Sequence, residues 1–200
     1  VSERANFSED ELLQPEKMIQ LYAMGAFPMA DSAKGNIEWF FPEVRTIIPL
    51  DNFHIPRSLI KILKDNSYLI QHDKDFLTVV KHCSSREETW ITDKLISAYR
   101  NLEQRGHIHT VEVYEGDALV GGLYGVTFRG AFFGESMFSL KSQASKIALA
   151  HLLLHLREQQ FVVLDVQYMT QHLKMFGATE ISFESFSNLL QKAYLSDARF

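Results

Sequence analysis

The stretch HTVEVYEGDALVGGLYGVTFRGAFFGESMF, residues 109–138, restricts the fold more than any other part of the chain. Apolar and polar residues alternate along it, and the run is cut at Glu115-Gly116-Asp117 and again at Arg129-Gly130. That pattern reads as three β runs joined in a meander. Behind it, SQASKIALAHLLLHLREQQ (142–160) reads as a long helix, and FVVLDVQYM (161–169) as a strand apolar on both faces. Such a strand needs cover on both sides. Three antiparallel strands, a helix and a buried strand beside them predict an α+β fold, a mixed sheet flanked by helices.

Upstream, a helix is expected at 15–24, with Pro15 in its first turn and Gly25 at its end. RTIIPL (45–50) reads as a strand. HIPRSLIKILKDN (54–66) reads as a helix with Ile55, Leu59 and Ile62 on one face and Asn66 after it. SYLIQHD then reads as a strand and KDFLTVVKHCS as a helix. TDKLISAYRNLEQRGH (92–107) reads as a helix capped by Thr92, striped by Leu95, Ile96, Tyr99 and Leu102, and ended by Gly106. QHLKMFGA and SFESFSNLLQKAYL supply a short and a final helix, while residues 1–14 read as a polar tail. Pro42, Pro49 and Pro56 mark a soft boundary, so the expected division is a small N-terminal domain at 1–45 and a larger domain at 46–200.

With 46% hydrophobic residues the 200-residue chain can bury one good core. A single cysteine, Cys83, excludes an internal disulfide framework and fits a reducing compartment. No apolar run approaches about 18 residues, and the polar N-terminus is unlike a signal peptide, so a cytoplasmic protein without a membrane span is expected. A net charge of −5 argues against wholesale wrapping of nucleic acid. It still allows a grip on one RNA end through a few cations, for which Arg57, Lys61, Lys64, Lys141 and Lys146 are candidates; ordinary solvated helix faces are the alternative.

Two polar insertions need explaining. Glu135 interrupts an aromatic strand, and a lone carboxylate there must be wet, paired or protonated. In LDVQ (164–167), Asp165 and Gln167 fall on one side of an extended strand, a rigid way to aim two polar groups at one substrate. Backbone capping is the competing explanation. If the helix at 142–160 is a crossover, the strands bearing Glu135 and Asp165 are neighbours, and the three groups converge where the sheet opens. Other signals are weaker. The glycines of VGGLYG lie on a strand, suiting a bulge or close packing rather than a phosphate loop. His151 and His155 have zinc-like spacing but no third ligand, so no metal is expected. Cys83 reads as an incidental buried thiol, and Trp90 as core or as a platform for a base.

Taken in order, YAMGAFPM, WFFPEVR, HIPRS, REETWIT, AYRNLEQRGHIHTVEVYEGDALVGGLYGV, FFGESMFS, ASKIAL and LDVQYMTQHLKMFGA resemble the leucyl/phenylalanyl-tRNA–protein transferase family over roughly residues 20–180. The resemblance implies a fold like that of the GNAT (acyl-CoA N-acyltransferase-like) enzymes behind a small N-terminal domain. It implies transfer of leucine or phenylalanine from the 3′ end of aminoacyl-tRNA to the N-terminal Arg or Lys of acceptor proteins, which creates an N-end rule degradation signal without any cofactor. By the same resemblance Asp165 and Gln167 are catalytic, Glu135 holds the aminoacyl-adenosine end, and Leu123, Leu152, Leu156 and Leu164 form the side-chain pocket; Trp90 and Met137 are further substrate-binding candidates. The chain departs from the family pattern at Met29, where a tryptophan is usual, at Thr170, where an asparagine is usual, and at NFSEDELLQ, which replaces a Gly-Gly-Asp-Leu segment. Two competing readings are an acyl-coenzyme A N-acyltransferase, which needs a Gly-rich loop where SLKSQASK has no glycine, and a catalytically silent RNA- or degron-binding module.

Overall fold

Where the meander alternates in sequence, it pairs in space, and the rest of the chain is arranged to cover it. The computed structural model describes residues 7–32, 34–65, 67–86 and 89–200. Asn66, Glu87 and Glu88 of REETWIT, and the first six residues of the expected tail lie outside the described residues. The elements run α1 (Glu9–Leu12), α2 (Pro15–Ala23), β1 (Phe27–Ala30), β2 (Ile37–Phe40), β3 (Val44–Ile48), α3 (Arg57–Lys64), β4 (Leu69–His72), α4 (Phe76–Ser84) and α5 (Asp93–Glu103). They continue as β5 (Ile108–Glu115), β6 (Ala118–Phe128), β7 (Ala131–Ser139), α6 (Ala144–Glu158), β8 (Val163–Gln167), α7 (Gln171–Lys174), β9 (Thr179–Ser182) and α8 (Phe183–Tyr194).

Seven strands form one mixed sheet in the order β4-β5-β6-β7-β8-β3-β9, and every pair is antiparallel except β7 with β8. That parallel pair is the one α6 connects, as a crossover requires. The mixed sheet flanked by helices agrees with the sequence reading. Four elements went unseen: α1, β1, β2 and β9, each four residues long. Helix α1 lies in the expected tail and is nucleated by a capping box, in which Ser8 accepts from the Glu11 N–H and Glu11 accepts from that of Ser8. The expected 45/46 division falls inside β3, which pairs with the main sheet on both edges.

The two faces of the sheet carry separate cores. Helices α3 and α6 cover one, with Leu59, Ile147, Leu152 and Leu153 against Phe132 and Leu164. Helices α2, α4, α5 and α8 cover the other, where Met18, Tyr22, Val79, Leu95, Tyr99 and Phe186 pack against Tyr124 and Phe133. Phe27 and Ile37 of the two-stranded β1–β2 sheet join this second core. Among the described residues no helix is long and apolar enough to cross a membrane.

Helix α6 sits close on β6 because β6 has no side chain at the point of contact. A Cβ on Gly121 would lie 2.5 Å from the Ala144 Cβ and 2.9 Å from its carbonyl carbon. The close-packing explanation for the VGGLYG glycines therefore holds. Gly121→Ala is expected to push the first turn of α6 outward and to destabilise the protein by about 1–3 kcal/mol. Urea unfolding of the variant against the wild type measures it.

Candidate active site

The parallel ladder between β7 and β8 ends early. Pairing runs from Ala131↔Val163 to Phe133↔Asp165, yet β7 continues to Ser139 and β8 to Gln167. Beyond that point the strands part, and a cavity of about 450 Å³ occupies the gap. Leu123, Met137, Leu149, Leu152 and Leu164 give it an apolar wall, and Glu135, Gln167, Arg86 and His172 are among its polar members. Trp90, Met29 and Phe27 also line it. Of the residues singled out from sequence, Glu135, Trp90, Leu123, Met137, Leu152, Leu164 and Gln167 thus meet in one cavity. Leu156 does not line it: one turn beyond Leu152 on α6, it is wholly buried in the core between helix and sheet. Asp165 is also wholly buried and lies outside the lining.

A bulge explains how a carboxylate sits in the aromatic strand. Tyr124 pairs with Ser136 and Gly125 with Gly134, so Glu135 has no partner on β6 and is the extra residue of a β-bulge. Gly125 allows it, since a Cβ there would lie 2.4 Å from the Phe133 carbonyl oxygen. The carboxylate is held from behind: Tyr22 donates to Oε1 (2.8 Å) and Tyr99 to Oε2 (2.7 Å). Loss of solvent raises the Glu135 pKa to about 7, against the two tyrosine hydrogen bonds, which lower it. Near neutral pH this group is poised between a hydrogen-bond donor and an anion. The adjacent Tyr124 hydroxyl is buried and has no partner among the described residues.

The second polar pair departs from regular alternation. Ile47 pairs with Asp165 and Thr46 with Gln167, which leaves Val166 as the extra residue of another bulge. Gln167 adopts a left-handed backbone, with φ of 58°. The two side chains therefore do not simply share one side of the strand. Asp165 points into the core and Gln167 lines the cavity. Arg45 grips Asp165 with both ends of a fork, Nε to Oδ1 at 2.8 Å and Nη2 to Oδ2 at 2.5 Å, and both residues have no exposed surface. The guanidinium lies over the Phe27 and Phe186 rings, at 4.6 and 4.8 Å from their centroids. Asp165 Oδ1 accepts the Gln167 backbone N–H (3.0 Å), and Oδ2 lies 3.5 Å from its side-chain nitrogen. A left-handed non-glycine residue costs about 1–2 kcal/mol, and these contacts hold it there.

Sequence reasoning overlooked Arg45, and read Tyr22 and Tyr99 only as helix residues. A charged residue opening the apolar run of β3 was the available signal for Arg45. The tyrosines carried none, because they reach Glu135 from helices far away in sequence. Removing one partner of a buried ion pair costs about 3–5 kcal/mol, so Asp165→Ala perturbs the fold as well as the site. Cys83 is buried and its thiol is pushed up to about 12 by burial, in keeping with an inert role.

A family model described as leucyl/phenylalanyl-tRNA protein transferase matches residues 47–191, and one for the N-terminal domain of the same transferase matches residues 11–43. Among solved structures, the chain is similar to that of L-PGS from Bacillus licheniformis, at 13% identity and a TM-score of 0.43, covering 88% of this chain and 62% of that one. It is also similar to the C-terminal domain (DUF2156) of a putative lysylphosphatidylglycerol synthetase from Agrobacterium fabrum, at 10% identity and a TM-score of 0.44, covering 93% and 60%. The chain spans about three fifths of the length of these two structures.

The bulged carboxylate has a consequence for stability. Its folded pKa of about 7 lies above the ordinary 4.5, so the native state holds a proton that the unfolded chain releases. Stability from this group is present below pH 4.5 and is lost as pH rises to about 7. Glu135→Gln is therefore expected to be more stable than the wild type by about 1–3 kcal/mol at mildly alkaline pH. The difference should vanish in mild acid. Urea unfolding at the two pH values checks it, and a variant less stable in alkali would contradict it.

Proposed function

The chain belongs to the leucyl/phenylalanyl-tRNA protein transferase family, and from that premise we propose that it moves leucine or phenylalanine from aminoacyl-tRNA to the α-amine of an acceptor protein beginning with Arg or Lys. The product would carry an N-end rule degradation signal, and the setting would be the cytoplasm. The observation that carries this reading is the cavity at the parting of β7 and β8, where an apolar wall faces Glu135 and Gln167. In it the ester of an aminoacyl-adenosine can place its side chain against Leu123, Leu152 and Leu164, with Trp90 beside the adenine. The division into an N-terminal part and a catalytic part near residue 45 belongs to the same proposal.

The reaction needs little beyond positioning, because an aminoacyl ester is already activated. The neutral acceptor amine attacks the ester carbonyl carbon, a C–N bond forms, the C–O bond to the ribose breaks, and one amine proton ends on the ribose hydroxyl. Gln167 is suited to accept a hydrogen bond from the incoming N–H through its side-chain oxygen, which orients the amine without taking its proton. Asp165 acts behind it, as the group that fixes the Gln167 backbone. Glu135, as an anion, is suited to the α-ammonium of the donor amino acid, and Tyr22 and Tyr99 fix its direction.

The coenzyme A alternative finds less support. It needs free backbone N–H groups at the start of α6, where the Ala144 N–H already bonds the Lys141 carbonyl and that of Ser145 the Ser139 hydroxyl.

Mixing the protein with leucyl-tRNA and a peptide beginning in Arg should add the mass of one leucine. Gln167→Ala should lower that turnover at least about tenfold while changing stability little, because the side chain is half-exposed. No added mass, or wild-type turnover in the variant, would contradict the proposal.

A further inference from the structure

A second hollow, of about 280 Å³, adjoins the main cavity and shares Arg86, Met137 and His172 with it. The two spaces differ in chemistry. The main cavity has a carboxylate and a wall of leucines, whereas no carboxylate lines the second among the described residues. Arg86 stands at the junction, exposed, with one guanidinium nitrogen donating to the Met137 carbonyl. Behind the junction the His172 Nε2 is buried with no partner among the described residues. Lys146, in the first turn of α6, lies near enough to help burial push the His172 pKa down. In the lining of the second hollow the His82 imidazole stacks on the Phe138 ring, centroids 4.7 Å apart and planes 22° from parallel, a flat aromatic surface. An anion beside a flat ring system is the combination that a cationic junction, an unpartnered imidazole nitrogen and an aromatic plane accommodate together.

We propose that this hollow binds the nucleotide preceding the terminal adenosine of the donor RNA, its phosphodiester at Arg86 and His172 and its base against His82. The inference rests on the transferase reading and extends it: donor recognition would span two nucleotides, one per cavity. It also gives an acidic protein a local means of holding an RNA end.

The test compares two small donors, leucyl-adenosine and the leucyl ester of cytidylyl-adenosine, in transfer to a peptide beginning in Arg. The dinucleotide donor should have a KM at least about tenfold lower, the worth of one stacked base and one phosphate contact. His82→Ala should erase most of that advantage and leave turnover of leucyl-adenosine unchanged. A methylphosphonate linkage in the dinucleotide, used with the wild-type protein, should weaken binding and remove its salt dependence even if the His82 variant folds poorly. Equal KM values for the two donors, or an advantage that survives both changes, would overturn the subsite while leaving the transferase reading intact. Failure of both donors and of leucyl-tRNA would remove the reading itself, and the subsite with it.

Discussion

The site depends on a buried ion pair between two strands. Arg45 on β3 and Asp165 on β8 are both fully removed from solvent and joined by two hydrogen bonds. Burying two charges yields little net stability even when the geometry is good, and one guanidinium nitrogen, Nη1, has no partner among the described residues. The pair therefore makes more sense as a device for shape than for stability. Its carboxylate accepts the Gln167 N–H, and that bond braces the left-handed backbone at the end of β8. Without the pair, the strand would be free to relax into regular alternation and turn Gln167 away from the cavity.

A single device recurs at the site's two polar groups. On β7 a bulge sets Glu135 off the ladder; on β8 a bulge at Val166 sets Gln167 off it. Both lie just past the last residue pair of the parallel ladder, Phe133↔Asp165. The crevice is thus made by the strands parting, and the bulges aim side chains into it that a regular pleat would send elsewhere. Each is backed by groups from distant elements: Tyr22 and Tyr99 from two helices behind Glu135, Arg45 from a neighbouring strand behind Asp165.

Most of the frame was legible in the sequence, and the reasons are local. Period-two alternation in the meander, the 3.6-residue stripe of α5 and the Thr92 cap are each written within a dozen residues. Four-residue strands such as β1, β2 and β9 are too short to show a period, and β9 sits at a sheet edge with little apolar content. Convergence of Glu135 with Gln167 followed from the crossover at α6. The orientation of Asp165 did not, because alternation assumes a regular strand and nothing in LDVQ announces an extra residue at Val166. The tyrosines behind Glu135 and the arginine behind Asp165 are 113, 36 and 120 residues from their partners. Only the folded chain brings them together.

We propose that Asp165 acts through Gln167 and not on the substrate directly. A kinetic double-mutant cycle with Asp165→Asn and Gln167→Ala measures this most directly, with leucine transfer to a peptide followed under conditions where circular dichroism shows all four proteins folded. Each single change should slow turnover by at least about tenfold, and Asp165→Asn should cost almost nothing further once Gln167 is gone. Losses that multiply, with the double variant slower by the product of the two, would show that Asp165 contributes independently and would contradict the account.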